Sequence, residues 1–164
     1  VTLIIGGARS GKSRHAEQIM LTQPAPWTYI ATGQAFDDEM RERIAEHRRR
    51  RGEGWVTIEA PVDLAGALAQ AADTPVLIDC LTLWLTNLML GEHDIPAALA
   101  AVEHALERRV APTLLVSNEV GMGIVPETLL GRRFRDEAGR LNQAVAATAG
   151  RVLFMVAGLP MTVK

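Results

Sequence analysis

The chain carries one cysteine, Cys80, among 164 residues. An intramolecular disulfide and a cysteine-based zinc site are therefore excluded, and the count fits a reducing, cytoplasmic compartment. An excess of either charge is also missing, since 17 Lys+Arg stand against 19 Asp+Glu. That balance excludes a globally basic polyanion binder and leaves room only for a local basic patch. Aromatic residues are scarce at 4%, and none interleaves with the arginines of residues 43–51. Base stacking needs such interleaving, so no nucleic-acid partner is expected. The longest apolar stretch, residues 76–90, is broken by Asp79 and Asn87, so no membrane span is expected. The opening Val1–Ile5 run enters a glycine loop directly and does not read as a signal peptide. No repeat, low-complexity segment or linker divides the chain. Hydrophobic residues at 48% and charged residues at 22% suit an ordinary globular protein, read as a single domain over residues 1–164.

Short apolar runs alternate with helical patterns from end to end. Strands are expected near residues 3–5, 27–31, 55–58, 75–79, 112–116 and 151–156, with a short edge strand at 161–164. Helices are expected near 12–21, 37–51, 62–72, 81–90, 95–109 and 127–149, the last either continuous or broken near Gly131 or Gly139. Pro61 suits the first turn of the third helix. The uniformly apolar first run is typical of a strand covered on both faces. The alternation implies an α/β fold, a mostly parallel sheet with helices on both faces.

Gly6-Gly7-Ala8-Arg9-Ser10-Gly11-Lys12-Ser13 matches GxxxxGK[ST]. It follows an expected strand and opens an expected helix, the context in which this motif binds phosphate. Its glycines let successive amides converge on phosphate oxygens, and the helix N-terminus adds positive potential. In that pattern Lys12 reaches the outer phosphates and Ser13 ligates Mg²⁺. Asp79 closes the fourth strand, where a magnesium-orienting carboxylate belongs. The same position equally suits a plain strand-terminal Asp that caps the next helix.

The segment 37–51 brings Met40, Ile44 and His47 to one helical face. Arg43 and Arg51 flank His47, and Arg48, Arg49, Arg50 and Arg51 follow it. A positive field lowers a histidine pKa and favours the neutral, nucleophilic imidazole. This suits attack on a nucleotide α-phosphate through a phosphoramidate. A solvated arginine-rich face with a surface histidine fits the same residues. Cys80 reads as a small buried hydrophobe. The segment 118–126 leaves the fifth strand at its carboxyl end, where open α/β sheets bind ligands.

The motifs together resemble the bifunctional adenosylcobinamide kinase/adenosylcobinamide-phosphate guanylyltransferase family. They are Gly6 to Glu17, Tyr29-Ile30-Ala31-Thr32, Asp37-Asp38-Glu39-Met40, and Arg43-Ile44 leading to His47. Thr86-Asn87-Leu88, Asn118 to Pro126, Phe134-Arg135-Asp136 and Gly139 to Gln143 complete the set, which runs in order along the chain. The resemblance implies a RecA-like P-loop fold with an antiparallel C-terminal edge strand. It implies phosphorylation of adenosylcobinamide by ATP or GTP, then transfer of GMP from GTP to adenosylcobinamide phosphate through guanylylated His47. It further implies nucleotide contacts at Gly6 to Ser13, at Ala31, Thr32 and Gly33, at Arg48 to Arg51, and at Glu59 and Asp79. Ser13 and Asp79 would hold Mg²⁺, and the family pattern suggests a homotrimer. A P-loop kinase for another small metabolite, without guanylyl transfer, is the alternative. A regulatory GTPase would need an NKxD motif, and the fifth-strand loop reads Ser117-Asn118-Glu119-Val120 instead.

Overall fold

A computed structural model of the chain describes residues 1–34 and 52–164. The helix expected over residues 37–51, with His47 and Arg48 to Arg51, lies outside the described residues. The strands are β1 (Thr2–Gly6), β2 (Trp27–Ala31), β3 (Trp55–Glu59), β4 (Val76–Asp79), β5 (Thr113–Asn118), β6 (Arg151–Val156) and β7 (Leu159–Thr162). The described helices are α1 (Lys12–Met20), α2 (Leu64–Gln70), α3 (Leu81–Leu90), α4 (Ile95–Glu107) and α5 (Leu129–Thr148). One sheet holds all seven strands in the order β3-β2-β4-β5-β1-β6-β7. Every pairing is parallel except the terminal β6–β7 hairpin.

Alternation along the central strands builds two cores. Leu3, Ile30, Ile78 and Leu115 face the layer that holds Trp84 and Leu141, of α3 and α5. Ile4, Tyr29, Leu77 and Val116 face Ala16 and Met20 of α1. Covering both faces is what makes β1 and β4 near-continuous apolar runs. Three of the helices start at side-chain caps: Asp63 accepts from the Gly66 amide, Asp94 from Ala97 and Thr128 from Gly131. These caps correct one expectation and decide between the two alternatives of another, in favour of a continuous last helix. Pro61 is not in the first turn of α2, because Asp63 begins that helix later. Gly131 does not break α5, because its amide is the one Thr128 caps. The C-terminal edge strand forms as expected but starts at Leu159, two residues early, and Val163 still donates to Val152 O at 2.9 Å.

Away from the strand ends that matter for function, Arg109 ties α2 to the start of β5. Its guanidinium donates to Leu68 O at 3.3 Å, to Thr74 O at 2.5 Å, to Thr113 Oγ1 at 3.0 Å, and to Ala72 O. A charged donor serving carbonyls that otherwise lie at a helix end is a strong local tie. Arg109→Ala should lower stability by about 2 kcal/mol, a melting-temperature drop of roughly 4–8 °C for a chain of this size. Differential scanning calorimetry checks it, and an unchanged melting temperature would reduce this clamp to a surface contact.

Candidate active site

β1 ends at Gly6 and α1 begins at Lys12, so the loop between them caps the sheet at its carboxyl edge. Gly6 has φ 155°, and a Cβ there would lie 2.7 Å from Met155 O. Gly11, at φ 92°, is the N-cap of α1 and brings no side-chain cap. The first amides of α1 are therefore free of the capping oxygen that α2, α4 and α5 carry, which suits an anion at this helix end. Gly158, in the β6–β7 turn, donates its amide to Ser10 O at 3.1 Å and braces the loop from behind.

Lys12 is 7% exposed. Its Nζ donates to Gly7 O at 2.5 Å and lies 3.5 Å from Ser10 Oγ, so the ammonium sits within its own loop. Burial pulls its pKa below the ordinary lysine value, while Cys80 and Asp79 oppose that shift. The opposing effect of Asp79 means that its carboxylate acts on the loop lysine across the intervening strand. β5 separates β1 from β4, with Gly6 in register with Asn118 and Asp79 in register with Val116.

The other expected site residues fall along the same edge. Ala31 is in register with Asp79 on one side and Glu59 on the other, so the three form a row. Glu59 is exposed at the end of edge strand β3, beside a groove of about 340 Å³ lined by Pro61, Val62 and Gln70. Gly33 is half-buried and Thr32 fully buried. The Thr32 hydroxyl donates to Cys80 O at 2.7 Å and accepts from Cys80 N at 2.8 Å. Helix α3 takes Cys80 as its N-cap without a side-chain cap bond. Cys80 is buried as expected; burial, with Asp79 beside it, pushes its thiol up to about 11. The sequence places Asn118 in the ligand-facing 118–126 segment without a particular role, and it marks no role for Thr82 or Gly158. The polar Thr82, Thr86 and Asn87 inside an otherwise apolar helix are the available signal.

A strand, glycine loop and helix enclosing a buried lysine, with a carboxylate two strands away, define a P-loop nucleotide-binding α/β protein. The profile of the family described as cobinamide kinase / cobinamide phosphate guanyltransferase matches residues 2–163, and the chain belongs to that family. Membership assigns it two activities, cobinamide kinase and cobinamide phosphate guanylyltransferase, in adenosylcobalamin biosynthesis. The chain is 51% identical to the bifunctional adenosylcobalamin biosynthesis protein CobP of Pseudomonas aeruginosa, over 99% of this chain and 96% of that one. It is 43% identical to the bifunctional adenosylcobalamin biosynthesis protein CobU of Escherichia coli, over 99% and 98%. Among solved structures it is similar to a prototypical ATPase from the type III secretion system of pathogenic bacteria, with a TM-score of 0.59 at 11% identity. That match covers 98% of this chain and spans 56% of the ATPase, and it speaks to the fold alone. No helix among the described residues is long and apolar enough to cross a membrane.

Proposed function

We propose that one nucleotide site, built on Gly6 to Ser13 within a single domain over residues 1–164, serves both reactions. The buried Lys12 inside its loop is the observation that carries this reading. In the kinase reaction the aminopropanol hydroxyl of adenosylcobinamide attacks the γ-phosphorus of ATP or GTP, and the nucleoside diphosphate leaves. In the second reaction the His47 imidazole attacks the α-phosphorus of GTP, breaking the α–β bridge and releasing pyrophosphate. An oxygen of adenosylcobinamide phosphate then displaces the imidazole, forming adenosylcobinamide-GDP. Two displacements replace one difficult step.

The loop amides and Lys12 stabilise charge on the transferred group, and Arg48, Arg49, Arg50 and Arg51 neutralise the triphosphate. Ser13 and Asp79 offer a hydroxyl and a carboxylate, the hard oxygen donors that Mg²⁺ selects. Among the described residues no group of three or more His, Cys, Asp or Glu gathers to hold a metal. Mg²⁺ held at Ser13 and Asp79 would supply further neutralisation of phosphate charge. Glu59, Ala31 and Gly33 contact the nucleotide. Thr32 donates its amide to Asp79 O and accepts from Asn87, in addition to its bonds with Cys80. Its part is therefore to hold Ala31 and Gly33 in place. The exposed Met122, Ile124, Leu159 and Met161 support burial between copies in a homotrimer. The single, buried Cys80 supports a cytoplasmic setting.

The test is incubation with α-labelled GTP, followed by denaturation. Label should stay on the protein in base and be lost in acid, as a phosphoramidate requires. Protein without covalent label, or label stable to acid, would remove the histidine intermediate.

A further inference from the structure

A belt of buried and half-buried polar groups crosses the carboxyl edge of the sheet, and the reaction steps above do not use it. Asn118 closes β5, the strand between the phosphate-loop strand and the Asp79 strand. It is in register with Gly6 on one side and stands two residues past Val116, the partner of Asp79, on the other. The Asn118 Nδ2 donates to Thr82 Oγ1 at 2.8 Å. Thr82 is the second residue of α3 and is buried, with its hydroxyl 3.2 Å from Cys80 Sγ. Across β4, Thr32 Oγ1 grips both ends of Cys80, while Asn87 Nδ2 donates to Thr32 O and Pro61 O. From α5, Asn142 Nδ2 donates to Asn118 O at 3.2 Å.

The residue that follows Asp79 is thus held by Thr32, just past β2, and meets Thr82, which Asn118 of β5 engages. Such a belt is a poor source of stability. Buried hydrogen bonds return little net free energy, and apolar side chains of similar shape do nearly as well. This one also includes the buried Asn142 Oδ1, which has no hydrogen-bond partner among the described residues. Directional bonds do fix geometry, which apolar packing fixes less well. The belt meets β1 at Gly6, where the Glu119 amide donates to Gly6 O at 3.0 Å.

We infer that Asn118 and Thr82 are positioning residues, whose hydrogen bond sets the Asp79 carboxylate relative to the phosphate loop. This rests on the reading of Gly6 to Ser13 and Asp79 as the nucleotide site. Neither residue touches the reacting atoms. Their effect belongs in turnover, through the placement of groups that act on the transferred phosphoryl.

The test uses the full chain and cobinamide kinase kinetics. Thr82→Val keeps the shape and removes the acceptor; Asn118→Ala removes the donor. Each should lower kcat about 10-fold, with the nucleotide KM moving far less. The double variant should be no slower than the worse single, because both delete one bond. Thr82→Ser should recover most of the rate lost in Thr82→Val. Should Thr82→Val fail to fold, Asn118→Leu, which removes the donor at nearly the same shape and adds no charge, must show the same split between kcat and KM. An unchanged kcat in a folded Thr82→Val or Asn118→Leu variant overturns the inference. So do additive losses in the double variant, or a Thr82→Ser variant as slow as Thr82→Val. Nucleotide affinity of Lys12→Ala, measured alongside, separates the two readings. If Lys12→Ala binds nucleotide normally, the phosphate-loop reading falls. If it loses binding while Thr82→Val turns over normally, only the positioning role falls.

Discussion

Lys12→Ala should abolish most nucleotide-dependent turnover while leaving the protein folded. Removing one preorganised donor to a developing oxyanion typically costs on the order of 10²–10³-fold in rate. Lys12 also contributes ground-state attraction to the phosphates, so affinity for GTP should fall as well. On the single-site proposal, both activities should drop together. Stability is the informative control. Lys12 is 7% exposed, and burial lowers its pKa. In the free protein the unfolded state therefore holds the lysine proton more tightly than the folded state. By linkage, that burial is a cost at neutral pH, relieved as pH rises toward the unfolded lysine value of 10.5. Lys12→Ala removes the cost, so its melting temperature should match or exceed that of the parent protein. Isothermal titration with GTP and a thermal melt test both halves. Unchanged GTP affinity would count directly against the phosphate-loop assignment.

Lys12 was legible in sequence because a phosphate loop is a local device. Its eight residues, the strand before and the helix after are contiguous, and each has its own signature. Helix caps were legible only in part. Asp63 and Asp94 are typical N-caps, yet Pro61 pulled the expected start of α2 forward, since proline also suits a first turn. What sequence could not supply was adjacency. Nothing in residues 113–118 says that β5 inserts between β1 and β4, so the distance from Asp79 to the loop stayed open. The expected end of that strand at residue 116 left Asn118 in a loop, whereas the ladder with Gly6 carries it two residues further. The Asn118–Thr82 bond spans 36 residues and the Arg109–Leu68 bond 41. Contacts of that separation leave only a faint mark on composition: a polar residue in an apolar helix, or an arginine just past a helix end.

His47→Ala should separate the two activities. Transfer of GMP should fall by at least about 10³-fold, as expected when a nucleophile is deleted and only binding and charge stabilisation remain. Covalent label from α-labelled GTP should disappear. The kinase step routes no atom through the imidazole, so phosphorylation of cobinamide should persist, and adenosylcobinamide phosphate should accumulate as the end product. That accumulation is the decisive reading. A general loss of nucleotide binding would suppress both steps, as Lys12→Ala should, and would leave unphosphorylated corrinoid. Retained guanylyl transfer with undiminished label would place the nucleophile elsewhere. The described residues give that outcome little support: the one cysteine is buried and its thiol is held protonated, and Lys12 is turned into its own loop. His47, followed in sequence by four arginines, is the residue proposed for that attack on phosphorus.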